Sequence, residues 1–371
     1  MGFGFDKKNL GIWSLLMLLL AKAMSEEATS PSPSPTATSI SSDGYPADVA
    51  QAFEQWMKEY ERDYSTDEEK ERRFANFKKS FNFVENFMKG PKQSFTVGLN
   101  LFSDMDEDEK RAFFCTVPTL HNPPPIPSNK RIKKRVTSLD DFSRICGGGI
   151  DWSESYASIK SIRSQGPACG SCWAFATTAA VEALHALTFE LQHPPMLSVQ
   201  QLIDCNTANY GCGGGSVSDA FAYIISNGGL NTEQNYPYQG IQRTCDTVKE
   251  KGDGLEIDAY AVVNPRNEDQ LAYALCEQPV VVGIDAHGTN FEHYRGGIYR
   301  SECGTDINHS VLLVGMRIDK ATNDQYWILK NSWGEKWGEG GFMKLLKNDG
   351  TPGGHCGIAM QASYPQLLEY I

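Results

Sequence analysis

The chain has 371 residues, which is long enough for two or three folding units and for a core that does not need disulfides in its place. Hydrophobic residues are 40% and charged residues 22%, a globular composition. The net charge of −12 argues against nucleic acid as a partner, because phosphate binding needs a basic surface. Ten cysteines are too few for a disulfide mini-scaffold. If they pair, the compartment is secreted or lysosomal.

The N-terminus agrees with that compartment. Lys7 and Lys8 precede an apolar run from Leu10 to Ala21, and Ala21-Lys22-Ala23 resembles a small-residue cleavage site. Residues 1–23 read as a signal peptide, too short to span a bilayer as a helix, with an uncleaved anchor as the alternative. No later stretch approaches the roughly 20 apolar residues of a spanning helix. No membrane span is expected after signal removal. Residues 24–46 are rich in Ser, Thr and Pro and are expected to be disordered, having little to bury.

Residues 47–117 form the next unit. Phe53, Trp56, Met57, Tyr60 and Tyr64 recur at helical spacing, as do Phe74, Phe77, Phe81, Val84 and Met88. This predicts two amphipathic helices joined near Ser65-Thr66, where a capping residue is followed by Asp67, Glu68 and Glu69. Ser94 to Phe102 alternates like a strand. Residues 118–145 read as a linker and activation segment, with Pro118, Pro123, Pro124, Pro125 and Pro127 ahead of a basic cluster from Lys130 to Arg135.

From residue 146 to 371 glycine becomes frequent, and nine of the ten cysteines lie here. This region holds 14 Lys and Arg against 25 Asp and Glu, a net −11, so it carries almost all of the chain's charge. Its most informative string is Gln165-Gly-Pro-Ala-Cys169-Gly-Ser-Cys172-Trp-Ala-Phe175, which runs into an alanine-rich helix without Gly or Pro up to Leu187. Cys172 therefore starts a helix, where unpaired N–H groups and the dipole favour a thiolate. Cys169 and Cys172 could also form a redox pair or half a zinc site. A redox motif of that kind needs a βαβ setting, and a zinc site needs a second close ligand pair. Cys205 and Cys212, seven apart, do not supply one.

This string resembles the nucleophile segment of the papain-like cysteine proteases, in their cathepsin L-like group. The resemblance extends over about residues 50–371. His309 lies 137 residues beyond Cys172 and opens an apolar strand. Asn331 stands in Lys-Asn331-Ser-Trp333-Gly and resembles the family's third catalytic residue. A polar hairpin from Arg317 to Gln325 accounts for its distance from Cys172. The other histidines (His121, His185, His193, His287, His293 and His355) are expected to face solvent or pack. Gly98-x-Asn100-x-Phe102-x-Asp104 matches the family's prodomain motif, and Glu69, Arg73, Phe77 and Val84 match its long prodomain helix, with Ser80 and Met88 in place of asparagines.

The resemblance implies an α+β, two-lobe fold. A helical lobe carries Cys172, an antiparallel β-barrel lobe carries His309 and Asn331, and a helical inhibitory prodomain precedes both. It implies a cysteine endopeptidase made as an acid-activated zymogen. Cys172 is the implied nucleophile, His309 the base, Asn331 the orienting residue and Trp333 the cover over their hydrogen bond. Gln165 is the implied oxyanion donor, although Pro167 and Ala168 make two residues before Cys169 where the family usually has one. The implied substrate-binding residues are Gly214, Gly215, Ser216, Val217, Gly283, Ile307, Ser310 and Gln361, with an apolar P2 preference. The implied disulfides are Cys169–Cys212, Cys205–Cys245 and Cys303–Cys356. Cys115, Cys146 and Cys276 lie outside the family pattern, and a Cys146–Cys276 pair is suggested for the last two.

No cofactor or metal is called for. The expected partners are peptide and protein substrates, the chain's own prodomain and cystatin-type inhibitors, and the expected state is a monomer in the lysosome or outside the cell. No paired-histidine loop of the cathepsin B kind is present, which favours internal cleavage. The one glycosylation sequon, Asn308-His309-Ser310, overlaps the base and is expected to be unused. Carboxylates of the prodomain's charge pairs, such as Glu69 and Asp104, are expected to have depressed pKa values and to release the prodomain in acid. A non-catalytic relative of the same fold is the rival reading.

Overall fold

The computed structural model describes residues 40–114, 122–132, 138–252 and 254–370. The expected signal peptide, residues 24–39 and Cys115 lie outside the described residues. Helix α1 spans Val49–Glu59 and α2 spans Asp67–Lys89. Asp48 caps α1 by accepting from the Gln51 N–H, and Thr66 caps α2 by accepting from the Glu69 N–H. The three acidic residues of the first turn suit the positive end of the helix dipole. The two helices cross through their aromatic faces, with Phe77 5.1 Å from Phe53 and 5.3 Å from Trp56 between ring centroids.

Strand β1 covers only Phe95–Val97, shorter than the alternation to Phe102 suggests. Polar side chains end it by taking the backbone N–H groups that a strand would use. Ser103 Oγ accepts from Asn100 N, and Asn100 Oδ1 accepts from Phe102 N. Helix α3, Glu107–Arg111, follows with a capping box of Asp106 and Glu109.

Residues 40–46 depart from the expected disorder. Ile40 bridges Pro46. The buried Asp43 carboxylate accepts from Leu99 N at 2.7 Å and pairs with Arg295. Ser42 N donates to Glu85, and the Tyr45 hydroxyl donates to Glu59. Partners far along the chain order a segment whose own composition gives no reason for order.

The activation region contributes strand β2, Lys130–Ile132, and helix α4, Leu139–Cys146. The peptidase region then adds β3 (Ile150–Asp151), α5 (Trp152–Ser155), α6 (Ala157–Lys160), α7 (Cys172–Phe189), α8 (Val199–Cys205) and α9 (Val217–Asn227). The paired strands β4 (Leu230–Asn231) and β5 (Gly254–Leu255) come next. They are followed by β6 (Ala259–Val262), α10 (Glu268–Glu277), β7 (Val280–Ile284), α11 (Thr289–Glu292), β8 (Tyr294–Tyr299), β9 (His309–Ile318), β10 (Gln325–Lys330), β11 (Phe342–Leu346), β12 (Ala362–Gln366) and β13 (Leu368–Tyr370).

The class is α+β, with helices gathered in the first half of the peptidase region and strands in the second. The main sheet runs β1-β8-β11-β10-β9-β7-β12-β6, with β3 on β9. It is antiparallel except where β11 meets β8 in parallel. Strand β1 belongs to the prodomain. It pairs Phe95 with Gly297 and Thr96 with Gly296 of β8, so the prodomain docks as an added edge strand. Strand β2 pairs with β13 at the chain's end.

Helix α7 is buried on nearly every side from Cys172 to Ala186, as suits its apolar composition. It packs on β9 and β7 at the junction of the two lobes. Four disulfides staple the peptidase region: Cys146–Cys276, Cys169–Cys212, Cys205–Cys245 and Cys303–Cys356. Among the described residues no helix is long and apolar enough to cross a membrane.

Candidate active site

Cys172 is fully buried and, among the described residues, is the cysteine that forms no disulfide. It is the first residue of α7. Its N-cap, Ser171, makes no side-chain cap. The Ser171 hydroxyl turns instead to the Cys169 carbonyl at 3.3 Å and the Tyr238 hydroxyl at 2.9 Å. The start of α7 is therefore left uncapped by its own sequence, as a helix end that serves an anion requires.

His309 opens β9 and is fully buried. Its Nε2 lies 2.8 Å from Asn331 Oδ1. The same oxygen accepts from Ser332 N at 2.8 Å, which fixes Oδ1 as the atom facing the ring. Nε2 thus carries the proton. Nδ1 is buried and makes no hydrogen bond, so it is the ring nitrogen left for proton exchange. Trp333 stacks on the imidazole at 4.7 Å with planes 28° apart.

Gln165 is buried and held from four directions. Its N–H donates to Ser332 O at 2.9 Å, and its carbonyl accepts from the Tyr238 hydroxyl at 2.6 Å. Its Oε1 accepts from Ser332 Oγ at 2.8 Å. Its Nε2 donates to Cys169 O at 3.3 Å and to Phe113 O at 3.4 Å. The additional residue ahead of Cys169 falls in an exposed turn at Pro167 and Ala168, next to Gly166 at φ +67°.

The prodomain fills this place. Phe113 offers its carbonyl to Gln165, and its ring packs on Phe102 and Trp333. Phe114 lies against His309, Trp333 and His287 at 6.1, 5.8 and 5.6 Å. Neither phenylalanine was expected here. The one hint in the sequence is two adjacent large apolar residues just beyond an acidic helix.

Of the residues expected to bind substrate, Gly283, Ile307, Ser310 and Gln361 come together. Gly283 pairs with Ser310 across β7 and β9, and its N–H donates to Gln361 O at 2.8 Å. A Cβ on Gly283 would stand 2.6 Å from Ile307, so only glycine fits. Ser216 and Val217 begin α9, with Ser216 as its cap. Gly214 has φ +112°, and a Cβ on Gly215 would strike Trp173 and Asn209.

Asn308 is buried. Its Nδ2 donates to Asp285 Oδ1 and Asp306 O, both at 3.0 Å, so a glycan on that nitrogen would remove at least one of these bonds. The His/Cys clusters with metal-like spacing, Cys303–His355–Cys356 and Cys205–Cys245–Glu250, have their sulfurs tied up in disulfides rather than available as thiolates.

A charged layer lies below the site. Burial pushes the Glu182 carboxyl up and the Lys330 ammonium down to about 8. Glu182 accepts from Leu197 N at 2.7 Å, while Lys330 donates to Ser158 O at 3.2 Å. These bonds hold α7 and the end of β10, which leads into Asn331. His293, expected to face solvent or pack, is fully buried. Its Nδ1 lies 3.0 Å from Gly98 O, and burial pushes its pKa down to about 4.

The site thus joins a buried cysteine at an uncapped helix start, an imidazole hydrogen-bonded to an asparagine, and a buried glutamine tied to the residue after that asparagine. Residues 148–366 match the papain family cysteine protease model, and residues 53–109 match the cathepsin propeptide inhibitor domain. Fruit bromelain of Ananas comosus is 38% identical over 316 residues, covering 85% of this chain and 86% of the relative. A solved recombinant stem bromelain precursor is 36% identical with a TM-score of 0.75, covering 86% of this chain and 99% of that one. The bromelain protease of Ananas comosus, solved in complex with the E64 inhibitor, is 40% identical with a TM-score of 0.55 and covers 59% of this chain and 98% of its own.

The chain belongs to the papain family of cysteine proteases and has the papain-like fold. It is a peptidase zymogen that carries its inhibitor domain in the same chain.

Proposed function

We propose that the enzyme is an endopeptidase that cleaves through Cys172, His309 and Asn331. The observation that carries this reading is the state of the imidazole, with Nε2 donating to Asn331 and Nδ1 buried without a hydrogen bond. The thiol proton passes to Nδ1, and the sulfur attacks the peptide carbonyl carbon. His309 gives that proton to the leaving amine as the C–N bond breaks. Water then attacks the thioester, His309 takes its proton, and the acid and the thiol are released. The Gln165 amide and the Cys172 N–H hold the oxyanion. In the zymogen the Phe113 carbonyl already uses the Gln165 donor.

Gly283, Ile307, Ser310 and Gln361, together with Ser216 and Val217, are read as the P2 site. Ile307 and Val217 favour Leu, Val or Phe there. The substrates are proteins and peptides, and cystatin-type inhibitors suit the same cleft. The enzyme is read as a monomer of the lysosome or the extracellular space, a reading supported by four disulfides. Its signal peptide is read as residues 1–23 and its peptidase domain as 146–371.

Activation by acid is part of this reading. Glu85 is held below the ordinary carboxylate range by Lys89 and the Ser42 N–H against a burial effect, and Glu69 is lowered chiefly by Ser65. A carboxylate with a depressed folded pKa contributes stability above its unfolded value and loses it as pH falls through the folded one. Both groups therefore loosen α2 and its tie to residues 40–46 on acidification. The test is cleavage of a quenched peptide with Leu at P2 by enzyme matured from the full chain. The Cys172→Ala variant, processed in trans, should show no turnover, and normal turnover by it would contradict the reading.

A further inference from the structure

One ion pair across the prodomain boundary is buried on both sides. Lys110 Nζ of α3 lies 2.9 Å from Glu292 Oε2 of α11, with side chains 9% and 6% exposed. Glu107 gives Lys110 a second, exposed carboxylate. No group of the peptidase domain donates a hydrogen bond to Glu292 Oε2. Among the described residues the cation paired with the charge at the end of α11 is thus Lys110, which leaves with the prodomain.

Glu292 is also close to the chemistry. Its neighbour Phe291 packs on Trp333 at 5.9 Å, and Trp333 stacks on His309. His287 lies near enough to influence the Glu292 carboxyl and faces Phe114, which covers His309. The leaving amine must reach His309 to receive its proton. The residues that follow it in a substrate then run along the wall now covered by Phe114 and Lys110. The turn that closes Phe113 N onto Lys110 O keeps these two positions near each other.

We propose that Glu292 is the acidic wall of a leaving-group-side subsite that takes a lysine or arginine side chain of a protein substrate. Lys110 occupies this subsite in the zymogen. The inference rests on the reading of Cys172 and His309 as the catalytic pair. The contact is a charge-assisted pair in a partly desolvated place, so it discriminates more strongly than an exposed surface pair. The net −11 of the peptidase region also draws basic substrates toward it. Chain reach places the recognised side chain roughly one to three residues beyond the scissile bond.

The test uses quenched peptides identical except for Lys, Gln or Glu at each of the first three leaving-group-side positions. The enzyme is matured from the full chain. At one position the wild type should favour Lys over Gln in kcat/KM by about three- to tenfold. The Glu292→Gln enzyme should bring that ratio to about one, and Glu292→Lys should turn the preference toward the Glu peptide. No Lys preference at any of the three positions in the wild type, or one unchanged in Glu292→Gln, would overturn the proposal.

A second readout does not depend on turnover. Peptides of the leaving-group side are titrated into the matured Cys172→Ser variant, and into the same variant with Glu292→Gln added. Tighter binding of the Lys peptide only when Glu292 is present supports the subsite even if the Cys172 enzyme cleaves nothing, which would contradict the catalytic reading alone. Equal binding of the Lys and Gln peptides overturns the subsite.

Discussion

At the scale of single residues, the proposed mechanism separates groups that react from groups that orient. In that mechanism His309 moves the proton, so His309→Ala should lower kcat by about 10³-fold or more. Asn331→Ala leaves the imidazole in place but removes the bond to Nε2. It should cost about tenfold to a hundredfold, the worth of one hydrogen bond to a group that becomes charged. Equal losses in the two variants, measured by kcat, would assign Asn331 a larger role. Gln361 offers an amide beside Gly283. Gln361→Ala should raise the preference for apolar over polar P2 within about tenfold, and identical P2 profiles would remove Gln361 from the pocket. Cys172, His309 and Asn331 could be named as candidates from the sequence because each stands in a string that resembles one of the papain-like family. Phe113, Phe114 and the Lys110–Glu292 pair could not. They act through contacts with residues far away in the chain, and no local pattern announces such contacts.

At the scale of elements, what could be read was what is locally determined. The start of α2 at Thr66 follows from one hydroxyl and three acids, and the start of α7 follows from an apolar run. The length of β1 does not, because Asn100 and Ser103 compete with the strand for its N–H groups. The order of residues 40–46 could not be read either, since Arg295 and Leu99, which hold Asp43, lie elsewhere. Prodomain anchors include β1 on β8, the α3 pair with Glu292, and the Phe113-Phe114 segment on Trp333 and His309. The last of these covers the site directly. Phe114→Ala removes a half-buried ring worth about 1–2 kcal/mol of apolar contact. The isolated prodomain carrying it should inhibit the matured enzyme about tenfold less well. An unchanged inhibition constant would mean that Phe114 covers the site without holding the prodomain there.

At the scale of the whole molecule, the response to pH is a sum of groups that pull in opposite directions. Asp104 does not behave as its charge partners suggest. Burial pushes its carboxyl up despite Arg62, Tyr64 and Arg73, and burial likewise raises Glu292 despite Lys110. A carboxylate whose folded pKa stands above its ordinary value near 4 takes up its proton first in the folded state. Its contribution to stability therefore grows as pH falls through the raised value toward the ordinary one. Asp104 thus opposes acid release, while Glu85 and Glu69 favour it. Asp104→Asn should make the zymogen's loss of thermal stability between about pH 7 and pH 4 steeper than in the wild type. A shallower loss would mean that the paired arginines outweigh burial.

The central claim is that His309, oriented by Asn331, turns Cys172 into the nucleophile once the prodomain leaves. The most direct measurement is peptide mapping of the matured enzyme after incubation with E64, the inhibitor found in the related bromelain structure. The account predicts one modified residue, Cys172, labelled rapidly in the wild type, far more slowly in His309→Ala, and not in the zymogen while Phe113 and Phe114 cover the site. Labelling at any other cysteine, or equal labelling rates in the wild type and His309→Ala, would contradict it.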